Sequence, residues 1–338
     1  TGDGLLFEIK PDGSIGWVTE SVTDDTVTFV STAASQDYVA VMTSSDAQLD
    51  VGGLQVPGND EAFTSRLLVI LVDRQTGEGK TYEVFTTQSS ISVFGVGFDS
   101  DGDLWAINTS TGEVDIGTQA SVSLGASRTA VAFEFVPSDD ALEYQRHVEW
   151  RPDGHQATPS GFAFGEEGAY LTGMSNPAGS ETFAHLAFFD TGSATLDLAA
   201  ESTAIENLEV GDIEVLDNDN ARLCANFDDT VTLSSGTYVS DGQRDFLLAN
   251  VERPSSPGEL RVVKRLEGKS EEDVECVFMA VLGNGDDVSV IENPSEAEIE
   301  IGQQTISVPD DRESELLVGR DSDGTVRWTR QLLGSITL

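Results

Sequence analysis

The sequence predicts an all-β fold built from repeated four-stranded antiparallel units, and three observations support this. Short runs of β-branched and aromatic residues are bounded throughout by Gly, Asp, Asn, Ser and Pro, which is typical of strands and turns. No segment keeps a helical period of 3.6 residues over three turns, so we expect little helix. A strand–turn–strand pattern also recurs along the chain, which indicates an internal repeat.

The clearest repeat joins the two ends of the sequence. Leu5–Trp17 and Leu316–Trp328 both read as a strand, an Asp-Gly turn and a second strand that ends in Trp. Asp-Gly pairs suit tight hairpins because glycine readily adopts positive φ. We name this pattern the C–D hairpin. Four weaker copies begin with the runs Leu67–Asp73, Ala130–Val136, Leu186–Asp190 and Phe246–Val251.

A second pattern, the A–B hairpin, alternates with the first. Its clearest copy is Val93–Phe98, an Asp-rich turn and Asp103–Asn108. The other four copies span Val27–Met42, Gly161–Gly173, Ile213–Ala225 and Val277–Ile291. Three of the five are followed by a short apolar-acidic-apolar-Gly element, at Leu49–Gly52, Val114–Gly117 and Ile299–Gly302.

Alternating A–B and C–D hairpins at a period of about 50–68 residues predict a β-propeller with four strands in each blade. We predict one domain, 1–338, with six blade positions, and five or seven remain open. The predicted units are 1–20 (a C–D hairpin only), 21–87, 88–150, 151–200, 201–268 and 269–338. An array of β-sandwiches is the alternative, and it predicts units nearer about 100 residues.

The ends of the chain suggest how a ring would close. Six C–D hairpins stand against five A–B hairpins, so the N-terminal hairpin lacks an A–B partner. The tail Ser335–Leu338 has the composition to begin a sixth A strand. We therefore expect Leu5–Trp17 and the tail to share one blade, which would protect sheet edges.

These motifs resemble a bacterial β-propeller repeat family of secreted and surface proteins. Phe98–Trp105 fits the A–B turn of that repeat, Leu49–Pro57 fits its apolar-Asp-apolar-Gly segment, and Arg320–Trp328 fits its terminal Asp-Gly…Trp hairpin. The unit 151–200 departs most, because it is short and lacks the second motif and the terminal Trp. The resemblance implies the fold and an exported or surface location, but it implies no catalytic site.

The charge of the chain excludes some functions. Its 60 Asp and Glu against 18 Lys and Arg give a net charge of −42, which repels nucleic-acid backbones. Both adaptation to high salt and an ordinary secreted acidic protein fit this composition. No apolar run is long enough to span a bilayer. We expect an exported monomer, periplasmic, extracellular or on the cell surface, whose signal peptide or lipid anchor would lie upstream of Thr1.

Acidic turns are the candidate metal sites. Asp99, Asp101 and Asp103 alternate around one turn, as at the start of a calcium loop, although the later bidentate Glu of that loop is missing. Asp217 and Asp219 form a thinner version. The alternative is a solvated hairpin turn without Ca²⁺.

Four arginines are the candidate ligand-binding residues. Four arginines share a place just before a predicted C strand: Arg66, Arg128, Arg244 and Arg312. A ring of guanidinium groups beside the long B–C connections could receive an anionic ligand. The alternative is that each arginine bonds a neighbouring carboxylate or carbonyl.

No catalytic residues are predicted, because the sequence contains no nucleophile elbow and no metal-binding histidine spacing. Cys224 falls in a predicted B strand and Cys276 in the next predicted A strand, and the two could form a disulfide or remain buried thiols. The first function hypothesis is a non-enzymatic binding or scaffold propeller for an unknown protein, glycan or small molecule. The alternative is a calcium-centred propeller hydrolase or lyase, which needs carboxylates that converge on the axis.

Overall fold

The fold is all-β in this computed structural model, and the described residues contain no helix. The structure describes residues 5–9, 14–23, 28–59, 65–125, 127–151, 157–165, 168–175, 183–192, 195–201, 208–217, 220–233, 236–253, 262–269, 274–282, 285–293, 298–301, 304–307 and 314–333. The chain divides into two compact units, Thr1–Arg151 and Pro152–Leu338.

The first unit contains fourteen described strands. They are β1 (Leu5–Ile9), β2 (Ile15–Thr23), β3 (Thr28–Ala34), β4 (Tyr38–Ser44), β5 (Leu49–Val51), β6 (Leu54–Val56), β7 (Ser65–Asp73), β8 (Gly79–Thr87), β9 (Ile91–Phe98), β10 (Leu104–Ser110), β11 (Glu113–Ile116), β12 (Ala120–Ser123), β13 (Thr129–Pro137) and β14 (Leu142–Trp150).

The second unit also contains fourteen described strands. They are β15 (Ala157–Phe164), β16 (Ala169–Ser175), β17 (Phe183–Asp190), β18 (Thr195–Glu201), β19 (Leu208–Asp217), β20 (Asn220–Leu233), β21 (Gly236–Glu252), β22 (Val262–Lys269), β23 (Glu275–Val281), β24 (Asp287–Asn293), β25 (Glu298–Ile301), β26 (Gln304–Ser307), β27 (Ser314–Arg320) and β28 (Val326–Leu333).

The described strands form three antiparallel sheets in each unit. In the first unit, sheet 1 has the strand order β1-β2-β5-β6, sheet 2 has β3-β4-β7-β8-β11-β12, and sheet 3 has β9-β10-β13-β14. In the second unit, sheet 4 has β15-β16-β17-β18, sheet 5 has β19-β20-β21-β22-β25-β26, and sheet 6 has β23-β24-β27-β28. Sheets 2 to 6 thus share a core of four antiparallel strands, A to D, and sheet 1 has only the last two strands of that core.

All six predicted C–D hairpins and all five predicted A–B hairpins are antiparallel strand pairs, which confirms this part of the sequence analysis. The C–D pairs are β1/β2, β7/β8, β13/β14, β17/β18, β21/β22 and β27/β28. The A–B pairs are β3/β4, β9/β10, β15/β16, β19/β20 and β23/β24.

The third sequence element forms a small hairpin of two short strands. β5–β6, β11–β12 and β25–β26 each fold back on themselves. Each then pairs with the second strand of the preceding C–D hairpin: β5 with β2, β11 with β8, and β25 with β22. This pairing covers an outer edge that would otherwise remain exposed.

Every A strand carries a β-bulge at the same place. The bulged residues are Val30, Phe94, Ser160, Gly211 and Val277. A bulge bends its strand and increases the local twist. In two sheets, the side chain after the bulge accepts a backbone N–H from the next sheet: Ser31 from Val96 at 3.2 Å, and Asp212 from Met279 at 2.9 Å.

Two of the seams between neighbouring sheets are closely packed. Between sheets 2 and 3, the rings of Phe85, Phe133 and Phe135 are fully buried, with centroid separations of 5.2 and 5.7 Å. Between sheets 4 and 5, the backbones approach closely, because a Cβ on Gly161 would lie 3.1 Å from the nitrogen of Ile213. A side chain at position 161 would therefore require β15 or β19 to shift slightly.

The predicted repeat boundary at 150/151 falls beside the division between the two units. A single propeller domain over 1–338 stays a prediction. The predicted role of the tail also stays one, because residues 334–338 lie outside the described residues.

Candidate functional site

Three charged residues form a buried cluster between sheets 5 and 6. Arg222 lies near the start of β20, Asp287 begins β24, and Arg320 ends β27. Arg320 Nε donates to Asp287 Oδ1 at 2.7 Å, and Arg320 Nη2 donates to the same oxygen. Arg222 Nη1 donates to Asp287 Oδ2 from the neighbouring sheet. One carboxylate therefore joins two guanidinium groups.

The cluster is enclosed and carries excess positive charge. Arg222, Asp287 and Arg320 are 6 %, 3 % and 2 % exposed. Neutral side chains accept two further hydrogen bonds from the guanidinium groups. Arg222 Nε donates to Asn250 Oδ1 at 2.8 Å, and Arg320 Nη2 donates to Ser289. Two cations against one anion leave a formal charge of +1. Burial lowers the pKa of Arg320, and Arg222 adds to that effect.

Arg320 has one donor group without an acceptor. Within the described chain, no hydrogen-bond partner lies within reach of its buried Nη1. A buried polar group without a partner costs free energy, and more so when it is charged. This cluster was not predicted from the sequence. Its only sequence signal was two arginines placed beside Asp-rich turns in a chain with few cations.

The same seam contains the disulfide. Cys224 of β20 and Cys276 of β23 are bonded, with their Cα atoms 6.0 Å apart, and both are fully buried. Of the two alternatives left open by the sequence, the structure therefore has the disulfide. Asn226, two residues after Cys224, bonds both backbone groups of Cys276. The seam between sheets 5 and 6 is thus held by covalent and polar contacts.

Two carboxyl groups with raised pKa values lie on β19 near this seam. Burial raises the pKa of Asp212 to about 6, although the N–H groups of Met279 and Ile213 partly oppose the effect. Burial raises the pKa of Glu214 to about 7, and the Asp212 charge adds to it. Groups of this kind can hold or release a proton near neutral pH.

The predicted ligand-binding arginines make contacts within their own unit. Arg66 donates to the Ser45 carbonyl at 3.3 Å. Arg128 donates to the hydroxyl groups of Thr109 and Ser92 at 2.9 and 3.0 Å. Binding of an anionic ligand to these residues stays a prediction.

Arg244 makes the most extensive of these contacts. Its guanidinium bonds Glu209 of sheet 5 and, at 2.8 Å, Glu275 of sheet 6, so it bridges the same seam as the disulfide. Counted from the A-strand bulge, Arg128 and Arg244 occupy one register, and Arg66 lies one residue farther along. What looks like one repeat position in the sequence is therefore two adjacent positions, and adjacent positions lie on opposite faces of a strand. Arg312 lies outside the described residues.

The predicted acidic turn is organised by Asp99. Its Oδ1 accepts the backbone N–H groups of Asp101 and Asp103 at 3.1 and 2.9 Å, and its Oδ2 accepts the indole N–H of Trp105 at 2.9 Å. These three bonds shape the turn between β9 and β10. Gly102 has a φ of +85°, as such a turn requires.

Asp103 approaches a carboxylate that sequence reasoning missed. Oxygens of Asp99, Asp103 and Glu134 lie within 4.8 Å of one another, whereas Asp101 is not part of this group. Burial raises the pKa of Asp103, and the charges of Asp99 and Glu134 add to it. Arg146 pairs with Glu134, with one N–O distance of 3.3 Å. The guanidinium thus supplies a positive charge beside the three carboxylates.

The second predicted metal turn follows β19. Asp217 ends β19 and pairs with Asn220 in the ladder, and only its backbone is described. Asp219 lies outside the described residues. Calcium binding at either turn stays a prediction.

Comparisons with known proteins add no family assignment. No protein-family model matches the chain, and a search of curated proteins finds no significant match. Within the part of the chain that the structure describes, no helix has the length and apolar character needed to cross a membrane.

Proposed function

We propose that the chain is an exported, non-enzymatic β-propeller scaffold that binds an unidentified protein, glycan or small molecule. Support for the propeller comes from the way neighbouring sheets meet. β9 packs against β3 and β4, β19 against β15 and β16, and β23 against β19 and β20. In each case the first strand of a sheet contacts the first two strands of the sheet before it. Repeated packing of this kind brings first strands together near an axis.

The disulfide supports the exported location. Disulfides persist in oxidising compartments and are rare in reducing ones. Cys224 and Cys276 lie in different sheets, so their bond is a long-range link within the second unit. The acidic composition, with a net charge of −42, suits a protein that stays soluble outside the cell.

The observation that most supports a scaffold is the use of charged side chains between sheets. Arg222 and Asp287 join sheets 5 and 6 from buried positions, and Arg244 joins Glu209 to Glu275. Side chains paired in this way hold the sheets at fixed distances. A rigid scaffold of this kind can present variable connections to a ligand.

One observation favours the alternative, a calcium-centred propeller hydrolase or lyase. Asp212 and Glu214 lie on β19, a first strand, and both have pKa values suited to proton transfer near pH 7. An enzyme of this class would need further carboxylates from other sheets to converge on the same metal.

Calcium titration followed by a crystal structure in Ca²⁺ separates the two functions. The scaffold predicts no ion held by carboxylates from three or more sheets. An ion held in that way near Asp212 and Glu214 would favour the enzyme and contradict the scaffold. The matched variant is Glu214→Gln, which removes one carboxylate and leaves the hydrogen bonds of Asp212 in place.

A further inference from the structure

The buried cluster of Arg222, Asp287 and Arg320 has the features of an anion site. Both arginines are permanently charged, because guanidinium does not lose its proton in proteins. Asp287 neutralises only one of them, and it already accepts bonds from both. The surplus charge lies in a seam where water cannot screen it.

The open donor defines where an anion would bind. The Nε and Nη2 groups of Arg320 donate hydrogen bonds to Asp287 and Ser289. Both donors lie on the same edge of the planar guanidinium group. Nη1 lies at the other end of the group and is buried with no acceptor in the described chain. A buried charged donor without an acceptor costs free energy, so an anion bound at Nη1 would offset that cost.

We propose that a small monovalent anion of the halide class binds at Arg320 Nη1, between sheets 5 and 6. One negative charge neutralises the +1 of the cluster. A compact ion suits the position, because Nη1 is buried and a small ion requires less rearrangement of the side chains around it. The proposal uses none of the four arginines predicted from the sequence.

Bromide provides the direct test, because it replaces chloride and scatters X-rays anomalously. Crystals of the wild-type protein grown in bromide should show an anomalous peak within about 3.5 Å of Arg320 Nη1, at ordinary halide–nitrogen contact distance. A map with no peak there, or with bromide only at exposed residues, overturns the proposal.

Thermal unfolding provides a second test in solution. At constant ionic strength, chloride in place of gluconate should raise the unfolding midpoint of the wild-type protein by about 2–4 °C, because the ion binds only the folded state. Arg320→Gln should abolish that increment, and the control Arg327→Gln should retain it. Arg327 is an exposed arginine of the same sheet and loses the same charge.

Equal midpoints in chloride and gluconate for the wild-type protein would also overturn the proposal. If Arg320→Gln does not fold, the bromide map of the wild-type crystal still decides the matter. Constant ionic strength matters because general screening would otherwise stabilise a chain of net charge −42.

Discussion

Asn226 and Cys276 exchange two hydrogen bonds across the seam between sheets 5 and 6. Asn226 Nδ2 donates to the Cys276 carbonyl at 3.2 Å, and the Cys276 N–H donates to Asn226 Oδ1 at 2.8 Å. The amide side chain thus replaces the neighbouring strand that the backbone of β23 would meet inside a sheet. Because Cys276 is also disulfide-bonded, one residue of sheet 6 is fixed to sheet 5 by three bonds.

Loss of the disulfide should destabilise the second unit. We expect Cys224→Ser with Cys276→Ser to lower the free energy of unfolding by about 2–4 kcal/mol, because the bond closes a long loop in the unfolded chain. The two cysteines are 52 residues apart. Urea unfolding of the oxidised wild type and the double variant measures the difference. Equal midpoints would mean that the polar contacts alone hold the seam.

Removal of the central carboxylate should be more severe than removal of a surface ion pair. We expect Asp287→Asn to cost about 3–5 kcal/mol, because two buried guanidinium groups lose their counter-ion. The control Arg327→Gln removes the exposed pair with Asp321 and should cost less than about 1 kcal/mol. Chemical denaturation compares the two, and similar small losses would contradict the buried charge network.

The buried carboxyl group of Glu214 should make the free energy of unfolding decrease as pH rises. The unfolded chain releases this proton near the usual value of 4.5, whereas the folded chain holds it to about 7. Between these values the folded state binds more protons, so its free energy of unfolding decreases with increasing pH. Above about pH 7, both states are ionised and this contribution levels off.

The matched variants for this effect are Glu214→Gln and Glu300→Gln. The first should flatten the decline in unfolding midpoint between pH 4.5 and pH 7, because its side chain does not titrate. The second removes an exposed glutamate of the same unit and should leave the slope of the wild type. An unchanged slope in Glu214→Gln would show that its proton affinity is ordinary.

Variants of the acidic turn in sheet 3 distinguish a structural role of this turn from metal binding. We expect Asp99→Ala to lower the free energy of unfolding by about 1–3 kcal/mol, because three N–H groups lose their acceptor. Asp103→Asn should be neutral or stabilising, because it removes repulsion among three carboxylates. Thermal melts with and without millimolar Ca²⁺ measure both effects.

The calcium prediction requires a different pattern from the same melts. Ca²⁺ would raise the midpoint of the wild type, and Asp103→Asn would abolish that rise. A structural turn gives no rise in either protein. The pair of variants therefore distinguishes the two explanations without relying on one result.

Much of the local structure could be predicted from the sequence, because hairpins depend on nearby residues. The turn at Asp321–Gly324 and the alternation of β-branched runs were sufficient to place β27 and β28. The pairing of β11 with β8 could not be predicted in this way, since it joins strands that belong to different hairpins. It depends on which sheet edge is open after the sheets have formed.

The candidate site was harder to predict for the same reason. Arg222, Asp287 and Arg320 are separated along the sequence and meet only because sheets 5 and 6 pack together. The Asp99 turn was found because its residues are local. Glu134 was missed, because a single charge within the apolar run Phe133–Phe135 gives no indication of its partner Arg146.

An experimental structure of the whole chain tests the central claim most directly. The proposal predicts six sheets around one axis, with every first strand nearest the axis and with Leu5–Trp17 in the same sheet as the tail Ser335–Leu338. Electron density that instead shows two separate sandwiches, or sheets without a common axis, would contradict it.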